Sequence, residues 1–204
     1  MIRALTVALT FALAACAAAP PPIHLTEEWP SQPGDYDTVT QSWTRSATLH
    51  AEYQEVFTLA ATFKSPAWRA AHAQRDAEHR GLAGGERDQR LAQAQAEVAG
   101  PYEVELLLTT YERRENDLDK GKKSVWRVVL VDDAGKEIEP LEIVRDKRPG
   151  PTVHAEFPAF GDFTTPYIAR FPRTSPVLGA NVKQLRLRMS GERGSVELAW
   201  QAAT

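Results

Sequence analysis

The sequence predicts a mainly β fold: an antiparallel, immunoglobulin-like β-sandwich that carries a helical hairpin as an insertion. Three observations predict it. From residue 102 onward, apolar and polar residues alternate in run after run, the period of half-buried strands. Clusters of Gly, Pro, Asp and Asn separate these runs at intervals of roughly 8–15 residues. Between Ser65-Pro66 and Gly100-Pro101 the composition shifts to Ala, Gln, Arg and Glu, all good helix formers. About eight strands with one apolar face each must bury those faces against a second sheet or a closed wall. A closed or half-open barrel is the second architecture this pattern allows.

Residues 35–63 open the domain. Leu49, Ala51, Tyr53, Phe57, Leu59, Ala61 and Phe63 fall on alternate positions, which predicts one long strand or two collinear ones. Ser65 then supplies an N-cap and Pro66 a first helical residue, so a helix runs over 65–80 and stops at Gly81. After Gly84-Gly85 a second helix covers 86–99. Their apolar faces are thin, with Trp68 on the first and Leu91 and Val98 on the second. The pair, 65–100, is therefore expected as an insertion lying on the β domain.

Residues 102–112 alternate as a strand, and 124–132 are the most apolar strand, hence central. Asp132-Asp133-Ala134-Gly135 is a turn, and 137–145 is expected to return as its hairpin partner. Val153, Ala155 and Phe157 predict a short edge strand among prolines. Residues 163–171 alternate up to Pro172. Residues 184–189 and 196–200 form a closing hairpin around the glycines at 191 and 194. Trp126 and Trp200 sit in strong strand patterns and are expected in the core, while Trp43 and Trp68 are open between core and a sugar- or peptide-stacking surface.

The N-terminus carries the one recognisable motif. A basic start, Met1-Ile2-Arg3, precedes an apolar run over 4–13 and then Leu13-Ala14-Ala15-Cys16. The run is too short to span a bilayer, which needs about 20 apolar residues, and has the form of a signal peptide. It resembles the lipobox of bacterial lipoproteins, over residues 1–16 only. That resemblance implies cleavage before Cys16, a diacylglyceryl group on its thiol, and usually a further palmitate-type chain on its amine. Two or more chains give stable anchoring. Ala17, standing where an Asp would retain the protein at the inner membrane of enteric-type bacteria, implies the outer membrane. Ala15-Cys16-Ala17 and Ala17-Ala18-Ala19 also fit ordinary signal peptidase, but Cys16 is the only cysteine in 204 residues and stands where lipidation requires it. The organisation expected is a signal at 1–15, a lipidated Pro-rich tether at 16–34, and a single β-sandwich domain at 35–204.

The net charge of −3 is spread over interspersed acidic and basic residues, with none of the clustered basic face that nucleic acid requires. His72, Asp76 and His79 lie at i, i+4 and i+7 on one helix face, a spacing that suits a divalent metal and equally a solvated polar face. Asn116, Asp117 and Asp119 make an oxygen-rich loop of the kind calcium prefers, without EF-hand spacing and with Arg113, Arg114 and Lys120 beside it. No cofactor is expected from either set. Arg186 and Arg188 are expected to pair across the hairpin with Glu197. No nucleophile elbow, zinc-protease, phosphate-loop or dinucleotide motif is present. These features point to a non-enzymatic, membrane-anchored envelope lipoprotein that binds or scaffolds an envelope protein or cell-wall component. The alternatives are a lipoprotein holding a glycan, peptide or metal, and a hydrolase.

Overall fold

The computed structural model describes residues 22–203. Cys16, with the whole stretch expected as signal peptide and lipobox, lies outside the described residues. The described chain is mixed α and β, with about 35% strand and 28% helix, which corrects the mainly β expectation. Two antiparallel sheets are present, one of five strands and one of four.

The excess helix comes first from α1, Tyr36–Trp43. Asp35 caps it, its carboxylate accepting from the Thr38 amide at 2.9 Å. Tyr36, Thr40 and Trp43 are its buried residues, at i, i+4 and i+7. The alternation that follows belongs to two strands, β1 (Thr44–Ala51) and β2 (Gln54–Phe63), which fold back on each other instead of running collinearly. The turn is Glu52-Tyr53, with φ of 48° and 68°. Positive φ at both central residues matches the twist of a two-residue hairpin and normally selects Asn-Gly. Glu-Tyr gives no such signal.

Next come α2 (Pro66–His79) and α3 (Gly85–Glu97), where the sequence put them. Ser65 accepts from the Trp68 amide as the N-cap. The apolar face of α2 is less thin than it reads: Ala70, Ala71, Ala73 and Ala77 are all at most 1% exposed. Small side chains let a helix approach closely, so this one is a layer of the fold and not an ornament.

The strands β3 (Tyr102–Thr110), β4 (Arg127–Val131), β5 (Glu137–Ile138) and β6 (Glu142–Arg145) follow. The expected hairpin over 137–145 is only half realised. Ile138 pairs with Leu130, but after Pro140 the chain crosses to the other sheet. Proline has no amide to donate to a ladder, and the break falls there. The expected strand at 153–157 is instead a helix, α4 (Gly150–Glu156), with Pro151 in its first turn. Val153 and Phe157, four residues apart, both turn inward and are at most 1% exposed. The chain ends with β7 (Thr165–Phe171), β8 (Gln184–Gly191) and β9 (Gly194–Gln201).

The larger sheet runs β1-β2-β3-β7-β6 and the smaller β5-β4-β8-β9, so β4 is interior as expected. One hydrophobic cluster joins them. Phe63 of the larger sheet packs 6.2 Å from Trp200 of the smaller, and Phe57 meets Trp126 edge-on at 4.9 Å. All four tryptophans at 43, 68, 126 and 200 are buried, which settles Trp43 and Trp68 as core. The second face of β2 and β3 is buried too, because α1 and α2 cover it; hence Ala60, Thr62 and Glu105 are shielded along with the inner-face residues.

Part of the stretch expected as tether packs on the domain. Ile23 bridges Ala202 in parallel, its amide donating to the Gln201 carbonyl at 2.9 Å, and Ile23 and Leu25 are buried. Glu27 accepts from the Tyr102 hydroxyl at 2.7 Å and pairs with Arg173 at 2.6 Å. Residues 23–27 thus belong to the domain.

Candidate functional site

Polar side chains cluster in several places among the described residues, two of them on the larger sheet. The first lies on the outer face of the larger sheet, beneath α2 and α4. Alternation along β2, β3 and β7 sends Lys64, Glu103, Glu105 and Arg170 to that face, opposite to Phe63, Val104, Leu106 and Ala169. Glu105 is wholly buried. Lys64 Nζ stands 2.9 Å from its Oε2, an ion-pair distance. Arg148 lies 4.0 Å from the same oxygen and itself holds Asp146 at 2.6 Å and Glu156 at 2.5 Å. Arg69 bridges Glu97 and Glu103, both at 2.8 Å, and Arg170 bridges Glu103 and Glu142.

Burial pushes the Glu105 carboxyl up, and the Lys64 charge offsets this only in part. Burial acts in the same sense on three neighbours but loses to their partners. Lys64, Arg170 and Arg69 hold Glu103 below its ordinary value, Arg148 holds Asp146 below, and His72 with Arg148 holds Glu156 below. The three depressed carboxylates stabilise the fold fully above their ordinary values of 3.8 and 4.5, and that contribution is lost as pH falls through their lower folded values. Glu105 has the opposite sign: its raised value favours the fold when protonated and penalises it as pH rises above 4.5. A series of thermal melts from pH 7 to pH 3 should therefore show the midpoint falling most steeply below about pH 4. A profile flat through that range would mean that the three ion pairs contribute nothing.

Each cation of this seam already faces a carboxylate. The cleft among Lys64, Trp68, Arg69, His72, Arg148 and Glu156 encloses only about 150 Å³, well under the roughly 300 Å³ at which ligand pockets begin. The seam is a clamp that holds α2 and α4 on the sheet.

The residues singled out as metal ligands are distributed among such clamps. His72 stacks on Trp68 at 4.9 Å and points Nε2 at Glu156, 3.4 Å away. Asp76 pairs with Arg90 at 2.7 Å and with Arg80 at 3.3 Å, and His79 is exposed. The shared helix face does not bring the three side chains together. In the loop, Asn116 donates to the Leu108 carbonyl and accepts from the Tyr167 hydroxyl. Asp117 accepts from Ser124 at 2.7 Å and pairs with Lys120, while Asp119 pairs with Arg145. Asn116, Asp117 and Asp119 brace the loop against the sheet. Among the described residues, no group of three or more His, Cys, Asp or Glu side chains is placed to hold a metal ion. Arg186 and Arg188 both pair with Glu197, at 3.2 and 3.1 Å, as the hairpin register predicts.

The second region went unread in the sequence. It is a groove of about 840 Å³ at the far end of the larger sheet, where β3 ends and β7 begins. Tyr111 and Phe163 line it and are 67% and 74% exposed. Tyr53, fully exposed at the β1–β2 turn, stands two residues from Glu55 on the groove wall. The walls are fixed. The Tyr111 amide donates to the Val56 carbonyl at 3.0 Å. The Thr109 and Thr164 hydroxyls meet at 2.9 Å across the strand ends, and Thr164 also accepts from the Gly161 amide. Arg145 is tied to Asp119 and lies over the Tyr167 ring, whereas Arg113 and Asp162, also on the rim, make no ion pair among the described residues. The sequence placed Tyr111 and Phe163 inside strands over 102–112 and 163–171, whereas both fall just beyond the strand ends, beside charged loops.

Comparison of the chain with protein-family models, with curated proteins and with solved structures finds no match in any of the three.

Proposed function

We propose that this protein is a lipid-anchored binding module of the bacterial envelope, most simply of the outer membrane, that holds an envelope or cell-wall component and does not transform it. In this reading the two sheets form an immunoglobulin-like β-sandwich, with α1, α2 and α4 as an added layer outside the larger sheet. The lipid sits on Cys16. The observation that carries the reading is the polarity of the domain. The chain enters at the Gln201 end of β9, beside Trp200, Phe63 and Tyr102. The open aromatic groove lies at the opposite end of β2 and β3, roughly 30 Å away along a ten-residue strand.

Only residues 17–22 would separate the lipidated cysteine from the bridge at Ile23, a reach of roughly 20 Å fully extended. The domain would sit close over the headgroups with its groove facing away from them. Detergent-phase partitioning tests the anchor: Cys16→Ala should move the protein into the aqueous phase, because loss of the acyl chains removes stable membrane binding. Unchanged partitioning would reject lipidation at Cys16.

A further inference from the structure

Resting on the reading of the groove end as the ligand-facing end, we propose that the groove binds a carbohydrate chain. Tyr111 and Phe163 would stack on sugar faces, and Arg113 and Asp162 would hydrogen-bond the hydroxyls.

Four observations select this ligand class. Tyr53, Tyr111 and Phe163 are the exposed aromatic rings among the described residues, and all three stand at this one end. Exposed rings placed just past the strand ends suit the flat, C–H-bearing face of a pyranose. The groove is also mixed in chemistry. Glu55 and Asp162 balance Arg113 and Arg145, so no net charge selects a polyanion. Planar carboxylate and guanidinium groups beside an apolar ring are what adjacent sugar hydroxyls require, because each hydroxyl both donates and accepts.

A peptide fits less well. Of the strands that reach the groove, β2, β3 and β7 are paired on both sides, and the short edge strand β6 is held against the 116–123 loop by Arg145, which binds Asp119 and the Asn116 carbonyl, so little free sheet edge is offered to an extended backbone. Nor do Tyr111 and Phe163 form the wall of a closed apolar pocket for an anchoring side chain; they stand out in solvent. The volume, about 840 Å³, lies within the roughly 300–1,000 Å³ of ligand clefts.

The test is calorimetric titration of the full lipidated protein in detergent with peptide-free glycan strands prepared from peptidoglycan, and in parallel with the free stem peptides. Glycan strands should bind, and Tyr111→Ala and Phe163→Ala should each weaken binding roughly ten-fold, since each removes a ring that the ligand covers. Both side chains are exposed, so melting temperatures should stay within a degree or two, which separates lost binding from lost folding. Asp162→Asn should weaken glycan binding several-fold with the rings intact. Stem peptides binding in the groove in place of glycan would overturn the ligand class and leave the groove end as the binding end. Glycan binding that both ring variants leave unchanged would overturn the site. No binding of either probe, with intact sacculi co-sedimenting equally with native protein and the double ring variant, would overturn the proposal and the reading beneath it together.

Discussion

Glu105→Ala is expected to destabilise the protein by about 3 kcal/mol or more at pH 7, measured by urea denaturation. Glu105 is wholly buried and Lys64 is 9% exposed, so removal of the carboxylate leaves an ammonium in a water-poor layer beneath α2. Breaking a buried pair by deleting one partner typically costs about 3–5 kcal/mol. The lower end applies because Glu103 still faces Lys64 from two residues away on the same strand face. The pair itself contributes little net stability, since burial disfavours the charged form of Glu105 more than Lys64 favours it. Replacing both partners, Lys64→Met with Glu105→Leu, should therefore recover most of the loss. A single variant within 1 kcal/mol of native would show that Lys64 can reach water and that the seam is looser than its distances imply.

Trp68→Ala is the second large effect, at about 3–5 kcal/mol, the usual range for truncating a buried aromatic. Its ring is 4% exposed, lies parallel to Phe157 of the α4 end at 5.8 Å, and stacks with His72. Its indole N–H donates to Thr40 of α1 at 3.1 Å, so one side chain ties three helices together. The melting temperature should drop on the order of 10 °C for a domain of this size. Far-ultraviolet circular dichroism should lose helical signal together with strand signal in a single transition. A change near zero, or helices that melt first while the sheets persist, would support 65–100 as a detachable insertion.

That view shows where the sequence is legible and where it is not. Periodicity located β7, β8 and β9, because each has one buried face and one more exposed, while β3 and β4, buried on nearly every residue, were legible from their apolar runs and from the Gly100-Pro101 and Asp132–Gly135 breaks beside them. It also located both helices of the hairpin, because Ser65-Pro66 and the glycines at 81, 84 and 100 act locally. It misled where packing is two-sided. β2 is buried on both faces, so its parity carried no boundary, and α1 was absorbed into the run before it. The turn at Glu52-Tyr53 adopts positive φ without a residue that favours it, so one hairpin read as one line. At 153–157 a two-residue period and a four-residue period coincide on Val153 and Phe157, and Pro151 was the sign that the helix had begun. The candidate groove was invisible for another reason. Tyr111 and Phe163 look like strand residues in composition, and only their position past the last rung of the ladder leaves them in solvent.

The strand ends bear on crowding. Under the proposed lipid anchor, neighbouring molecules would meet at high local density, and any bare ladder would invite lateral polymerisation. Here β5 has two residues and β6 four, and the chain turns the corner between them. On the other flank the Arg45 side chain of β1 donates to the Ala199 carbonyl of β9 at 2.9 Å, and Ile23 occupies the last rung of β9. Molecules anchored as proposed would then offer one another little free ladder to extend.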